Sequence, residues 1–403
     1  MIEYNLFDPH QVDNHEEVLA ELRRKEPVAE VLPGIFYLSR YDDIVEVCRH
    51  PDVFGQARFR PVAEDPRTDD ELNLGETDPP VHTRVRKVLA GFFNPPAVRP
   101  YEQYVRDVCR SLVEGLPPTG EADLIRDLGA PLPAAVIGYV AGLPEELWPL
   151  MRPYSDAYIA VGNQGGDSDA ARGGAELVAD FLQRVRALIR DRRAQEDRPR
   201  DLLTALVEAT GPDGAPLSDE KVLVHLASDV VVGGVETTTH LVGNLFYNLL
   251  RTPGAYARVK ADRALVPVAV EETLRIQPPV QVLFRQPRVD AEIRGVKIPA
   301  GSTVALGYAS ASHDEAVFAH PRDFDVDRAD VAKKHLGFGW GIHHCVGAPL
   351  ARLELVCALD AVLDRFPSME LAPGFEYNRV EFFMMRGPRR LDVVYPPRQL
   401  PST

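Results

Sequence analysis

The chain has 403 residues, is 45% hydrophobic and 26% charged, and carries a formal net charge of −15. That balance suits a globular protein with a large core, and it argues against duplex nucleic acid as a partner, because phosphate binding needs a concentrated basic surface. The four cysteines, Cys48, Cys109, Cys345 and Cys357, lack paired short spacing, so neither a disulfide framework nor a Cys-x-x-Cys zinc site is expected and a reducing cytoplasm fits.

The amino terminus shows no basic stretch followed by an apolar one, and no apolar run is long enough to span a bilayer, so no membrane anchor is expected. Periodicity predicts helices over His15 to Lys25 and Arg40 to Cys48, with short strands at Val28 to Val31 and Ile35 to Leu38. Phe54 to Thr77 is charged and aperiodic and reads as a mobile connection. Asp78-Pro79-Pro80 then opens a helix by cap and proline, which sets His82 and Arg86 one turn apart on one face.

Helical periodicity dominates from Val98 to about Tyr247, broken at Gly162 to Gly174, a second expected mobile connection. Ser218 caps a helix expected from Asp219 to about Leu250. Its interior holds Gly233-Gly234-Val235-Glu236-Thr237-Thr238, and each glycine costs roughly 0.5–1 kcal/mol relative to alanine there. Alone, a glycine pair suits close helix packing. The Thr237 hydroxyl, however, is spaced to bond back to the Gly233 carbonyl and open the helix for a small ligand.

Glu272 and Arg275 lie three apart on the next helix, a spacing that by itself describes an ordinary surface pair. Beyond Gln277 the texture becomes proline-rich, with strands expected at Val289 to Ile298 and Thr303 to Tyr308. There is no internal repeat and no long linker, so residues 1–403 are expected to form one domain.

Near the carboxyl end, Phe338-Gly339-Trp340-Gly341-Ile342-His343-His344-Cys345-Val346-Gly347 puts one cysteine where a glycine-rich loop becomes a helix, a position that favours the thiolate. Its pattern, Phe-Gly-x-Gly-x-His-x-Cys-x-Gly, resembles the heme-binding signature of the cytochromes P450. That resemblance implies a mainly α fold with small β-sheets, a triangular prism with a long central helix over the heme. It implies heme b, with Cys345 as the iron ligand and Phe338, Gly339, His343 and Gly347 among the cofactor-binding residues.

Further matches follow in the same chain order. Gly233, Gly234, Glu236 and Thr237 are similar to the family's oxygen-binding motif, which implies heme contact for Gly234, hydrogen bonding to the iron-bound oxygen for Thr237 and proton supply for Glu236. The resemblance assigns the heme propionates to His82, Arg86, Arg285 and His343, and a structural ion network to Glu272, Arg275 and Arg328. Family position places Val231, Gly233, Val280, Val282, Leu283, Phe383 and Met384 around the substrate, and implies that the two loops above cover its entrance. Arg58 and Arg60 in the first loop are candidates to meet a substrate carboxylate.

The implied activity is monooxygenation, most simply hydroxylation, of a lipophilic small molecule from natural-product, steroid or terpenoid, or aromatic metabolism. Dioxygen is the co-substrate. No flavin domain, dinucleotide fingerprint or iron–sulfur spacing is present, so a ferredoxin and its reductase are the expected electron donors. Lys333, Lys334 and Arg352 are expected to form part of the docking face. A peroxide-using heme-thiolate enzyme and a non-catalytic heme sensor or carrier are the alternatives. A monomer is expected.

Overall fold

A computed structural model describes residues 2–8, 15–57, 67–164, 169–211, 213–380 and 382–397. The chain forms two compact units, each assembled from separated segments. The first comprises Met1–Asp65, Asn244–Cys345 and Glu376–Arg389, and the second Pro66–Gly243, Val346–Phe375 and Arg390–Thr403.

β-Branched and aromatic residues build the five-stranded sheet of the first unit, in the order Val28–Leu32, Ile35–Leu38, Thr303–Leu306, Leu283–Pro287, Phe54–Gln56. Ile35–Leu38 runs parallel to Thr303–Leu306, and the other pairs are antiparallel. Side chains alternate between two cores, as period two demands. Phe36, Leu38, Val304 and Leu306 pack with Ile44, Val47 and Cys48 of the helix Tyr41–Arg49. Tyr37, Ala305 and Phe284 face Leu19 and Leu22 of the helix His15–Lys25.

The tract expected to be strand-like from Val289 to Ile298 is a hairpin of Ala291–Ile293 and Val296–Ile298. Arg294 (φ 49) and Gly295 (φ 79) both take the left-handed conformation that turns a two-residue hairpin, and Arg294 is held there by its Nε donating to Asp43 at 2.7 Å.

The second unit is mainly helical. Its longest elements are Val81–Phe93, Glu102–Glu114, Trp148–Gln164, Asp169–Ala194 and Ala348–Arg365, with a small sheet ordered Glu121–Asp123, Asp392–Val394, Glu370–Leu371. The two helices Trp148–Gln164 and Asp169–Ala194 extend into the stretch expected as a mobile connection, leaving four residues, 165–168, outside the described structure.

The other expected mobile stretch is partly fastened. The buried Lys221 donates to the Asp69 and Leu72 carbonyls at 2.6 and 2.8 Å, and Leu74 N–H donates to the Asp229 carboxylate at 3.0 Å. Arg58 and Arg60 lie outside the described residues.

The helix expected to run unbroken from Asp219 is broken into three parts. Ser218 caps it by accepting from Lys221 N–H at 3.1 Å. The α-helix Asp219–Val224 then widens into a π-helix over His225–Val232 before Gly233–Arg251 resumes as α. Such widenings recur where a helix serves a site, and here the wide turn ends at the glycine pair. Among the described residues, no helix is long and apolar enough to cross a membrane.

Candidate functional site

The cysteine loop of the first unit rests on backbone. Gly339 and Gly341 take φ of 72° and 74°. A Cβ at Gly341 would come within 2.7 Å of the Cys48 carbonyl oxygen, and one at Gly337 within 2.5 Å of that of Leu274, so glycine is required by space as well as by conformation. Gly339 N–H donates to the Leu336 carbonyl and Cys345 N–H to that of Phe338, both at 2.8 Å.

One support was not legible in the motif. Gly337 N–H donates to His335 Nδ1 at 3.0 Å, which fixes the tautomer so that His335 Nε2–H donates to Glu271 at 2.7 Å. The loop is thereby tied to the helix Val266–Ile276. Among the four cysteines Cys345 alone is exposed, beside the exposed Ile342 and half-buried Phe338 and Trp340. Burial raises the other thiols, that of Cys357 to about 12, which leaves them inert.

Arg285 sits on the strand Leu283–Pro287, 4% exposed. Its Nη1 donates to Gln56 Oε1 at 3.0 Å and to the Phe284 carbonyl at 2.9 Å, both neutral, and it has no carboxylate partner among the described residues. A buried guanidinium without a counter-ion is costly, so the site calls for an anion from outside the chain. His343 lies half-buried in the turn Gly341–His343.

The ion network expected around Glu272 is formed. Arg275 grips the carboxylate through Nε and Nη2, both at 2.7 Å, and Arg328 Nε adds contacts at 3.0 and 3.1 Å. Glu272 and Arg275 are wholly buried, and the carbonyls of Ser312, Pro321 and Asp323 take the remaining Arg275 donors.

In the second unit, the helix carrying His82 and Arg86 starts at Val81 with Pro80 in the cap position, so Asp78 contributes its main-chain carbonyl, which accepts from His82 N–H at 3.1 Å. His82 is buried and Arg86, one turn on, is half-buried.

Thr237 Oγ1 donates to the Gly233 carbonyl at 2.7 Å, and Thr239 repeats this to Val235 at 2.7 Å. Gly233 is exposed although Val231 and Val235 are fully buried, so that face looks onto open volume. Gly234 has a packing duty of its own, since a Cβ there would meet Ile137 Cδ1 at 2.5 Å.

Glu236 is buried and its Oε1 receives two cations or donors: His240 Nε2 at 2.7 Å and Arg152 Nη2 at 3.5 Å. Arg152 also binds Asp156 at 2.9 Å. Burial pushes the Glu236 carboxyl up, but the hydrogen bond from His240 and the nearby charges outweigh it and hold the group below the usual carboxylate range. Asp156, half-exposed, is raised by desolvation and by the Glu236 charge. His240, one turn beyond Glu236, was the readable signal. Arg152 and Asp156 come from a distant helix.

The expected substrate-lining residues divide. Gly233, Val280 and Leu283 are at least partly exposed, whereas Val231, Val282 and Met384 are buried at 0%, 4% and 7%. Phe383 packs edge-on against Phe7, centroids 4.8 Å apart.

Residues 148–385 match the family model described as cytochrome P450. The chain belongs to the cytochrome P450 family. The chain is 34% identical to cyclomarin C epoxidase CymV of Salinispora arenicola over 94% of this chain and 95% of that one. It is 37% identical to the monooxygenase PikC of Streptomyces venezuelae over 80% of each. The solved structure of a P450 EryK mutant in complex with erythromycin B superposes with a TM-score of 0.86 at 30% identity, covering 97% of this chain and 99% of that one.

The fold is therefore that of a P450, the cofactor heme and the activity monooxygenation. The residues fit the group: an exposed thiol on a backbone-anchored loop with apolar neighbours, and a buried arginine in want of an anion.

Proposed function

We propose that this P450 holds heme iron through Cys345 and oxidises a lipophilic natural product with electrons from a ferredoxin and its reductase. The exposed Cys345, on a loop fixed by the Phe338 carbonyl, carries the reading. His82, Arg86, Arg285 and His343 would meet the propionates, with Gly234, Phe338, Gly339 and Gly347 as further cofactor neighbours. The interleaving of the two units along 1–403 supports one domain. When bound, heme supplies the centre at which dioxygen is reduced and one oxygen atom is delivered to substrate.

The chain's own groups manage protons and position. Thr237 holds its hydroxyl proton on the Gly233 carbonyl; turning it towards a ligand gives up a hydrogen bond worth about 0.5–1.5 kcal/mol, which the new one offsets. Asp156, half-exposed and easier to protonate than an ordinary carboxylate, shares the Arg152 guanidinium with Glu236. Proton supply is therefore assigned to Glu236 acting through water, with Asp156 as the more exposed carboxyl that delivers to it.

Relatives named for cyclomarin C, mycinamicin IV and steroid oxidation, and a neighbour solved with testosterone, support a large apolar substrate. Exposed Lys333 and Lys334 on the helix Val331–Lys334 support docking of an acidic ferredoxin. Four cysteines that form no disulfide suit the cytoplasm. The test is the reduced carbon monoxide complex, which should show the red-shifted Soret band of thiolate ligation; its absence in folded, heme-loaded protein overturns the assignment. A spectral screen of natural products that displace water from the ferric iron, with product identification, then defines the substrate.

A further inference from the structure

A cavity of about 300 Å³ lies within the first unit, apart from the cysteine loop. Ile276, Gln277 and Gln281, all buried, form its deep part, and Tyr247 and Tyr377 line its wall. The volume is that of about ten water molecules, enough for a small organic ligand.

Its charge is unbalanced. Four arginines, Arg23, Arg251, Arg322 and Arg386, line it against one carboxylate, Glu16. Arg23 is already neutralised by Glu315 at 3.3 Å and tied to Ser310. Burial lowers His313 to about 4, so it adds no charge at neutral pH. Arg251, Arg322 and Arg386 have no carboxylate partner among the described residues. Three such arginines in one cavity are unexpected in a chain with 60 acidic and 45 basic residues.

Two of the three are already oriented. Arg251 Nε donates to Asn248 Oδ1 at 3.0 Å and its guanidinium lies 5.3 Å from the Tyr247 ring centroid. Arg386 hydrogen-bonds the Tyr377 hydroxyl, on which the Arg251 charge also acts. That hydroxyl is set in place by Gln277 and by donating to Asn244 Oδ1 at 3.2 Å. An arginine fork held in this way matches the paired oxygens of a carboxylate or phosphate, and the tyrosine rings offer apolar contact to the rest of a ligand.

We infer that this cavity is a second binding site, for a small molecule carrying an oxyanion, which Arg251, Arg322 and Arg386 grip. The site is coupled by main chain to the segment expected to meet substrate. Arg386 N–H donates to the Pro279 carbonyl at 2.8 Å, its own carbonyl accepts from Asn244 at 3.0 Å, and Met384 lies two residues away.

The test is calorimetric titration of the heme-loaded protein with pyrophosphate and, separately, with citrate, against chloride at matched ionic strength. Saturable binding of one anion per chain is expected, and whichever probe binds tighter identifies the oxyanion. Arg322→Gln and Arg251→Gln should each weaken it roughly tenfold. Both side chains are exposed, so these variants keep the fold, which the carbon monoxide spectrum verifies. Arg322→Lys should retain part of the affinity, and Arg110→Gln, on the other unit, all of it. No saturable binding of either probe, or binding unchanged in both glutamine variants, overturns the inference.

Discussion

Replacing His240 by leucine tests how Glu236 is kept ionised while buried. Glu236 Oε1 takes the His240 donor at 2.7 Å and the Arg152 guanidinium at 3.5 Å. Losing a hydrogen bond to a charged group removes about 1.5–3 kcal/mol, which moves the protonation equilibrium roughly tenfold to a hundredfold towards the acid. Burial, the largest influence on this carboxyl, then prevails. In the wild type the depressed carboxyl stabilises the fold above the ordinary carboxylate range, and that contribution is lost as pH falls through the lowered value. In His240→Leu the sign reverses: the folded state binds the proton more tightly than the unfolded one, so stability falls as pH rises through the range above the ordinary value. Urea midpoints measured from pH 4 to 8 should show this opposite slope relative to wild type. The fraction of reducing equivalents recovered in product should fall alongside, and His240→Asn, which keeps a donor, should recover part of both. Superimposable pH curves for wild type and His240→Leu, in heme-loaded protein, would show that His240 does not hold Glu236 ionised.

Glu272→Ala should cost about 3–5 kcal/mol by denaturant unfolding, because it strands the buried guanidinium of Arg275 and that of Arg328, and heme content should drop with it. Gly341→Ala forces both a left-handed alanine and a 2.7 Å contact with the Cys48 carbonyl; a loss of about 1–3 kcal/mol and faster heme release on dilution into apomyoglobin are expected. Thr237→Val removes the hydroxyl bonded to Gly233 while the helix stays folded. Its melting temperature should stay close to wild type, while hydrogen peroxide formed per turnover should rise several-fold by oxidase assay.

Much of this could be read along the chain because the chemistry is local. Gly339, Gly341 and Cys345 make a loop whose backbone needs are written in adjacent residues, and Thr237 with Gly233 is a one-turn pairing. Glu272 and Arg275 needed the motif to be told from a surface pair, yet both are wholly buried. Partners that meet only after folding were illegible: Arg152 and Asp156 reach Glu236 from a helix some eighty positions upstream. The strand-like texture of Val289 to Ile298 hid its turn, where two left-handed residues, Arg294 and Gly295, divide the tract into two strands. The apolar character of Val231, Val282 and Met384 gave no means to separate a pocket wall from core, and all three are buried in this structure.

Arg285 has a consequence for the life of the chain in the cell. A guanidinium 4% exposed, held by neutral groups and without a carboxylate partner among the described residues, leaves the heme-free polypeptide with an electrostatic penalty that the propionates proposed to meet Arg285 would relieve. On that proposal heme is a folding ligand, and mass action would tie the standing level of mature protein to porphyrin supply. Iron-starved cells should clear the chain by proteolysis, whereas Arg285→Met, which spares the apoprotein that charge, should let it accumulate empty.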